Sequence, residues 1–247
     1  MRRKMSVDKY INLILASLDA RGFFIEQDPD LSRWRRCLEG MPGIVGINPS
    51  FDPAHHDFEL GGPQYWLRLS TIPNHPAHQM RKSSEVAAVI AFRLIDTGKE
   101  GWTELLRSGR LFSSRFSPLG TPKILQPRDC NWTGRIGHHG GLVVGEAYRR
   151  QRLAYLLTHL IRAISIKRYD VDHHCGLVYE NLYRSGIPLR ADGYGYARAD
   201  LAMDGFIGAV GRSARMYTTQ IDRAGMLAQI EEGPLMELLE PEVEMAA

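Results

Sequence analysis

The sequence predicts an α/β (α+β) fold, a sheet flanked by helices, and three observations carry that expectation. The runs "QYWLRLSTI" (64–72) and "SEVAAVIAFRLI" (84–95) are rich in β-branched and aromatic residues and are separated by a polar connection with two prolines, which reads as an antiparallel pair of strands. The stretch "GGLVVGEAYRRQRLAYLLTHLIRAISI" (140–166) turns from a glycine-flanked apolar run into a series spaced as on a helix. The N-terminal part carries helical spacing of its own, at Tyr10, Leu13, Ile14, Ser17 and Leu18, with Gly22 as a stop signal.

The remaining elements follow in chain order. "FFIEQ" (23–27) suits a short strand. In "DPDLSRWRRCLEGM", Asp28 is placed as an N-cap and Pro29 as the first helical residue, with Leu31, Trp34, Cys37 and Leu38 as the buried stripe. Residues 42–63, rich in Gly, Pro, Asp and His, read as a connection that lies over a pocket. "WTELLRSGRLF" is a short helix, and the proline-punctuated stretch up to Trp132 is a long loop, a natural home for the acceptor substrate. "GYGYARADLAM" (193–203) supplies a late strand.

Composition narrows the function classes. The chain has 247 residues, 44% hydrophobic and 24% charged, as in an ordinary globular protein with a sizeable core. No apolar run is long enough to span a bilayer, and Asp8, Lys9 and Asp19 interrupt the opening segment, which reads as an amphipathic helix rather than a signal peptide. Cys37, Cys130 and Cys175 are widely spaced and contain no Cys-x-x-Cys pair, so a reducing cytoplasm is the expected compartment. The net charge of +3 is too small to point to nucleic acid, and the basic residues lack interleaved aromatics, so no nucleic-acid partner and no membrane are expected. The charge is unevenly spread, with a basic segment at 149–168 and an acidic tail after Gly233.

The segment 140–166 holds the main chemical signal. Leu153, Leu156, Leu157, Leu160, Ile161 and Ile164 lie on one helical face, so the helix is expected to begin near Arg149. Its first-turn amides and the positive end of its dipole form an anion site directly after the strand, to which Arg149, Arg150 and Arg152 add full charges. A pyrophosphate suits such a turn.

These residues resemble the GNAT superfamily of N-acetyltransferases. "RRQRLA" (Arg149 to Ala154) is similar to its acyl-CoA-binding signature Q/R-x-x-G-x-G/A, with Arg149 and Ala154 in place and Arg152 standing where the family has glycine. Downstream, "CGLVYENLYRSGI" (175–187) resembles the family's segment Asn-x-x-x-x-Tyr-x-x-x-Gly, with Asn181 closer to Tyr183 than that form expects. The resemblance covers about residues 63–221 and implies a central mixed, mostly antiparallel sheet flanked by helices with an N-terminal helical extension. The domain organisation expected is a helical segment at 1–62 that includes the first strand, a GNAT-like domain at 63–232, and the acidic tail at 233–247.

The same resemblance implies a mechanism. Acetyl-CoA or another acyl-CoA would wedge between the family's fourth and fifth strands, held by Leu142, Val143, Val144, Arg149, Arg150, Gln151, Arg152, Leu153 and Ala154. Amides around Leu142 to Val144 would polarise the thioester carbonyl as an amine attacks. Tyr183 would protonate the departing thiolate. The general base is left open between Glu146 and His138 or His139, a histidine titrating closer to neutral pH than a glutamate.

The acceptor would be a small-molecule or protein amine. An acyl carrier protein is the alternative donor, docking on Arg149, Arg150, Arg162, Lys167 and Arg168, as in acyl-homoserine lactone and N-acyl amino acid synthases. A further alternative is a degenerate GNAT that binds without catalysis. The N-terminal region could instead be a cap or a homodimer contact. The pairs His55-His56, His75-x-x-His78, His138-His139 and His173-His174 contain ligand types, but adjacent histidines on a strand face opposite ways and no zinc spacing is matched, so no metal is expected.

Overall fold

The computed structural model describes residues 4–41, 47–54, 62–78, 82–112, 123–207 and 212–234. The helices are α1 (Val7–Ala20), α2 (Leu31–Glu39), α3 (Trp102–Arg107), α4 (Leu153–Tyr169), α5 (Glu180–Arg184) and α6 (Arg223–Glu232). The strands are β1 (Phe23–Asp28), β2 (Gln64–Thr71), β3 (Val86–Asp96), β4 (Lys123–Ile124), β5 (Arg135–Val144), β6 (His173–Tyr179), β7 (Arg198–Ile207) and β8 (Arg212–Asp222).

All eight strands join one sheet in the order β1-β2-β3-β5-β6-β8-β7-β4. Only β5 and β6 pair in parallel, linked by the α4 crossover; the other junctions are antiparallel. This is the mixed, mostly antiparallel sheet flanked by helices that the sequence led us to expect. Leaving aside the two-residue edge strand β4, β5 and β6 are the fourth and fifth strands in chain order.

Pleat alternation sorts the strand residues into two cores. Tyr65, Leu67 and Leu69 of β2 and Ile90, Phe92 and Leu94 of β3 pack with α1, α4 and α6. Trp66, Val89 and Ala91, on the other face, pack with Leu31, Trp34 and Leu38 of α2. Further along that face, Ile95, Ile136, Cys175, Leu177 and Met216 meet Trp102, Leu105 and Leu106 of α3. Because both faces are covered, β3 is buried almost end to end, which explains its unbroken apolar run.

Several boundaries differ from the sequence reading. The N-cap of α2 is Asp30, whose carboxylate accepts the Ser32 N–H at 2.8 Å, whereas Asp28 closes β1. Strand β5 starts at Arg135, because glycine and histidine are weak strand markers that hid its first half. Helix α4 starts at Leu153 rather than near Arg149: Arg149 is extended, and Arg150 and Arg152 have φ of 68° and 59°. Residues 193–197 form a loop, with Gly195 at φ 62°, and the strand begins only at Arg198. Helix α4 is also buried well beyond its leucine stripe, through Thr158, His159, Arg162 and Ser165, because α1 and α6 both pack on it.

Candidate functional site: a forked strand pair and an arginine loop

Strands β5 and β6 share a ladder only from Ile136↔His173 to His139↔Gly176. Beyond that point β5 runs on to Val144 and β6 to Tyr179 without pairing to each other. A bulge bends β5 at the start of the fork: Ala91 faces Gly140 and Val89 faces Val143, so Gly141 and Leu142 together oppose Ile90. Gly141 has φ 57°, and a Cβ there would come within 2.2 Å of the Trp34 ring. Only glycine satisfies both the backbone and the packing.

A cavity of 210 Å³ occupies the fork. Its walls are His139 to Val143 on β5 and Gly176 to Tyr179 on β6, with Phe112, Leu182, Tyr194 and Met216 around them. Asn48 and Pro49 also line it, so the described part of the 42–63 connection does lie over a pocket. That segment is pinned where Ser50 Oγ meets His138 Nε2 at 2.9 Å, Arg93 donates to the Ser50 carbonyl at 2.7 Å, and Phe51 stacks on His138. Among the described residues, no Asp, Glu, Lys or Arg lines this cavity.

A second cavity, of 310 Å³, adjoins it and shares Tyr194 as a wall. Val144, Arg149, Arg150, Arg152, Leu153 and Ala154 line it from one side, and Ile187, Arg190, Asp192 and Gly193 from the other. Among the described residues, the amides of Arg150, Gln151, Leu153 and Ala154 have no backbone acceptor, as expected before and at a helix start. Arg152, where the signature has glycine, takes the left-handed conformation a glycine would supply, at a cost of about 1–2 kcal/mol. Its guanidinium lies 4.0 Å from Asp192, which Arg190 also grips through Nε at 2.7 Å. Gln151 does not line the cavity; its carbonyl accepts from Arg21 at 2.7 Å and ties the loop to the end of α1.

Tyr194 is held at the junction of the two cavities by its own backbone. Its amide donates to the Ile187 carbonyl at 3.0 Å, and its carbonyl accepts from the buried Arg162 at 2.8 Å. Burial pushes its phenol up to about 12, so it is protonated at neutral pH. Arg162 is 2% exposed, also binds Gln229 at 2.6 Å, and lies over the Tyr196 ring. It therefore cannot belong to a carrier-docking surface, a correction to the reading from sequence.

The sequence-named residues divide accordingly. Leu142 and Val143 line the fork cavity, and Val144, Arg149, Arg150, Arg152, Leu153 and Ala154 line its neighbour. His139 is on the fork wall, hydrogen-bonded to the Tyr196 hydroxyl at 3.1 Å. Burial, aided by Arg162, pulls His139 down to about 3, so it does not titrate near neutral pH as a free histidine would. The neighbouring His174 is likewise lowered, and neither of its ring nitrogens has a hydrogen-bond partner among the described residues. His138 points to the other face, as strand alternation requires.

Tyr183 stacks on Tyr217 with centroids 3.8 Å apart and lines neither cavity. Glu146 sits exposed on a short turn after β5 and also lines neither. Sequence reasoning missed Tyr194 and Arg190. The double glycine of "DGYGY" was the available sign that this segment is a loop. His55-His56-Asp57, residues 113–122 of the expected acceptor loop and most of the acidic tail (235–247) lie outside the described residues.

No family model matches the sequence, and no curated protein matches it. Solved structures do align with it. Arabidopsis thaliana NAA60 in complex with acetyl-CoA aligns at 13% identity over 82% of this chain and 99% of that chain, with a TM-score of 0.45. Spermidine/spermine N-acetyltransferase SpeG from Vibrio cholerae aligns at 11% identity over 85% and 98%, with a TM-score of 0.44. FeeM, an N-acyl amino acid synthase from uncultured soil microbes, aligns at 10% identity over 93% and 89%, with a TM-score of 0.38. At these scores the likenesses carry no weight for function.

Proposed function

We propose that this chain is a GNAT-type acyltransferase that moves an acyl group from acyl-CoA to an amine by direct attack on the thioester. The observation that supports the reading is the adjacency of the two cavities: an uncharged fork between β5 and β6 shares Tyr194 as a wall with a cavity lined by four arginines, beside amides without a backbone acceptor among the described residues. A pyrophosphate fits the second cavity, where Arg149, Arg150, Arg152 and Arg190 outnumber Asp192. A pantetheine arm leaving that site along Val144 reaches the fork. Asp192 then has to be displaced from Arg152 or shared with the incoming phosphate.

In the fork, the thioester carbonyl is assigned to the backbone amides around Leu142 to Val144, on the stretch of β5 that has left its ladder with β6, where they would stabilise the oxyanion formed on attack. We assign the donor hydrogen bond to the leaving sulfur to Tyr194, in place of Tyr183, because Tyr194 stands where the cavities meet. A phenol protonated at rest can serve, since the proton is needed only as charge develops on sulfur. His139 serves as a neutral wall, fixed through Tyr196, since a group titrating near 3 is a weak base at neutral pH. The attacking amine gives up its proton to water at the cavity mouth.

The test is calorimetric titration of the protein with acetyl-CoA and free CoA. Submicromolar to micromolar binding is expected, weakened about a hundredfold in Arg149→Ala/Arg152→Ala, since each phosphate contact contributes about 1.5 kcal/mol or more. Absence of binding, or equal binding by the double variant, would refute the pyrophosphate assignment.

A further inference from the structure

The fork cavity is larger than an acetyl group requires, and among the described residues its lining is mostly apolar and carries no charge. It measures 210 Å³, whereas a site for one water, a group of methyl size, needs only about 10–15 Å³. Its side-chain lining is Pro49, Phe112, Leu142, Val143, Leu177, Val178, Leu182 and Met216, with Asn48, Tyr179 and Tyr194 at intervals and His139 held neutral. Leu177 and Met216, on β6 and β8, belong to the core around α3, so the cavity is walled on that side by the edge of this core. From Leu142 to His139, where the β5–β6 ladder resumes, the strand rises about 10 Å.

Resting on the acyl-CoA reading above, we infer that this cavity takes a medium-length apolar acyl chain, of the butyryl to octanoyl class, as the donor group. The direction of the gap decides between donor and acceptor. A pantetheine arm entering between β5 and β6 aims its thioester along the gap, so the acyl tail is the part of the complex that continues into it. An amine acceptor has to approach the carbonyl carbon from the side. A cationic acceptor or a charged acyl group would also lose its hydration in this cavity without gaining an ionic partner among the described residues. An alkyl chain loses nothing and gains the burial of each methylene.

The experiment is a calorimetric series with free CoA and acetyl-, butyryl-, hexanoyl- and octanoyl-CoA on the full chain. Free CoA makes every contact except those of the acyl group. Affinity is expected to rise by up to about fourfold per methylene from acetyl to hexanoyl and then to level off. Leu182→Trp and, separately, Phe112→Trp should fill the cavity and flatten that rise. Equal or falling affinity from acetyl to octanoyl, with free CoA still bound, would overturn the acyl-chain inference and leave the acyl-CoA reading standing. Failure of every thioester and of free CoA to bind would overturn the reading itself, and this inference with it.

Discussion

The two cavities that meet at Tyr194 are built on opposite principles. One is walled by Arg149, Arg150, Arg152 and Arg190, long side chains that stay near water and ask for a multiply charged anion. The other has no charged wall among the described residues, and its histidine, His139, is kept neutral by burial. On the acyl-CoA reading proposed above, anchoring and chemistry would thereby be separated: the ligand would be held by charge where water is close, and would react where water is sparse and backbone dipoles act at low dielectric. The buried Arg162 belongs to neither cavity wall. It ties α4, α6 and the Tyr194 loop together through a carbonyl, an amide side chain and an aromatic ring.

The contrast can be broken most severely at its junction. With a primary amine identified by screening, Tyr194→Phe is expected to lower kcat by about 10²–10³-fold, the usual scale for a lost general acid, while the KM for acyl-CoA changes little. Steady-state kinetics check this, and a KM effect without a kcat effect would mean that Tyr194 is only a wall.

Acid should act on the buried histidines, one of which, His139, lines the uncharged cavity. The folded-state values of His139, His159 and His174 are all lowered by burial, so the unfolded chain takes up protons first. Their stabilisation is complete above the unfolded value of about 6.5 and is lost as pH falls below it. For His139 alone the loss at pH 5 is about 2 kcal/mol, or roughly 4–8 °C in Tm for a chain of this size. Thermal melts at pH 7.5 and pH 5 measure it, and an unchanged Tm would show that these rings are not buried in neutral form.

The smallest effect is expected at Tyr183. Its hydroxyl lines neither cavity and its ring is stacked on Tyr217, so Tyr183→Phe should keep kcat within about threefold, less than 1 kcal/mol. A loss comparable to that of Tyr194→Phe would exchange the roles proposed for the two tyrosines.

Much of the scaffold was legible because its signals are local. The β-branched and aromatic enrichment of β2, the long apolar run of β3 and the leucine spacing of α4 each reflect local surroundings, a strand covered on both faces or a packed helix face that recurs every turn. The arginine loop was legible as a site and misread as a helix start. Nothing in "YRRQRL" announces that Arg150 and Arg152 take positive φ, a conformation residues other than glycine seldom adopt. The motif points to Tyr183 and passes over Tyr194 because a motif counts positions along the chain, whereas Tyr194 reaches the fork on a loop distant from it in sequence.

By itself, then, the sequence determined a sheet-and-helix fold, a strand running into a basic turn and a buried helix, and the residues that line both sides of that turn. Tertiary structure alone decided that β5 and β6 part after His139, that Tyr194 stands at the junction, and that Arg162 is interior. It also decided that His139 is neutral. The physical reason is range: periodicity and turn chemistry depend on neighbours in sequence, but a cavity's lining, and the dielectric that sets a pKa, depend on segments brought together only by sheet order and register.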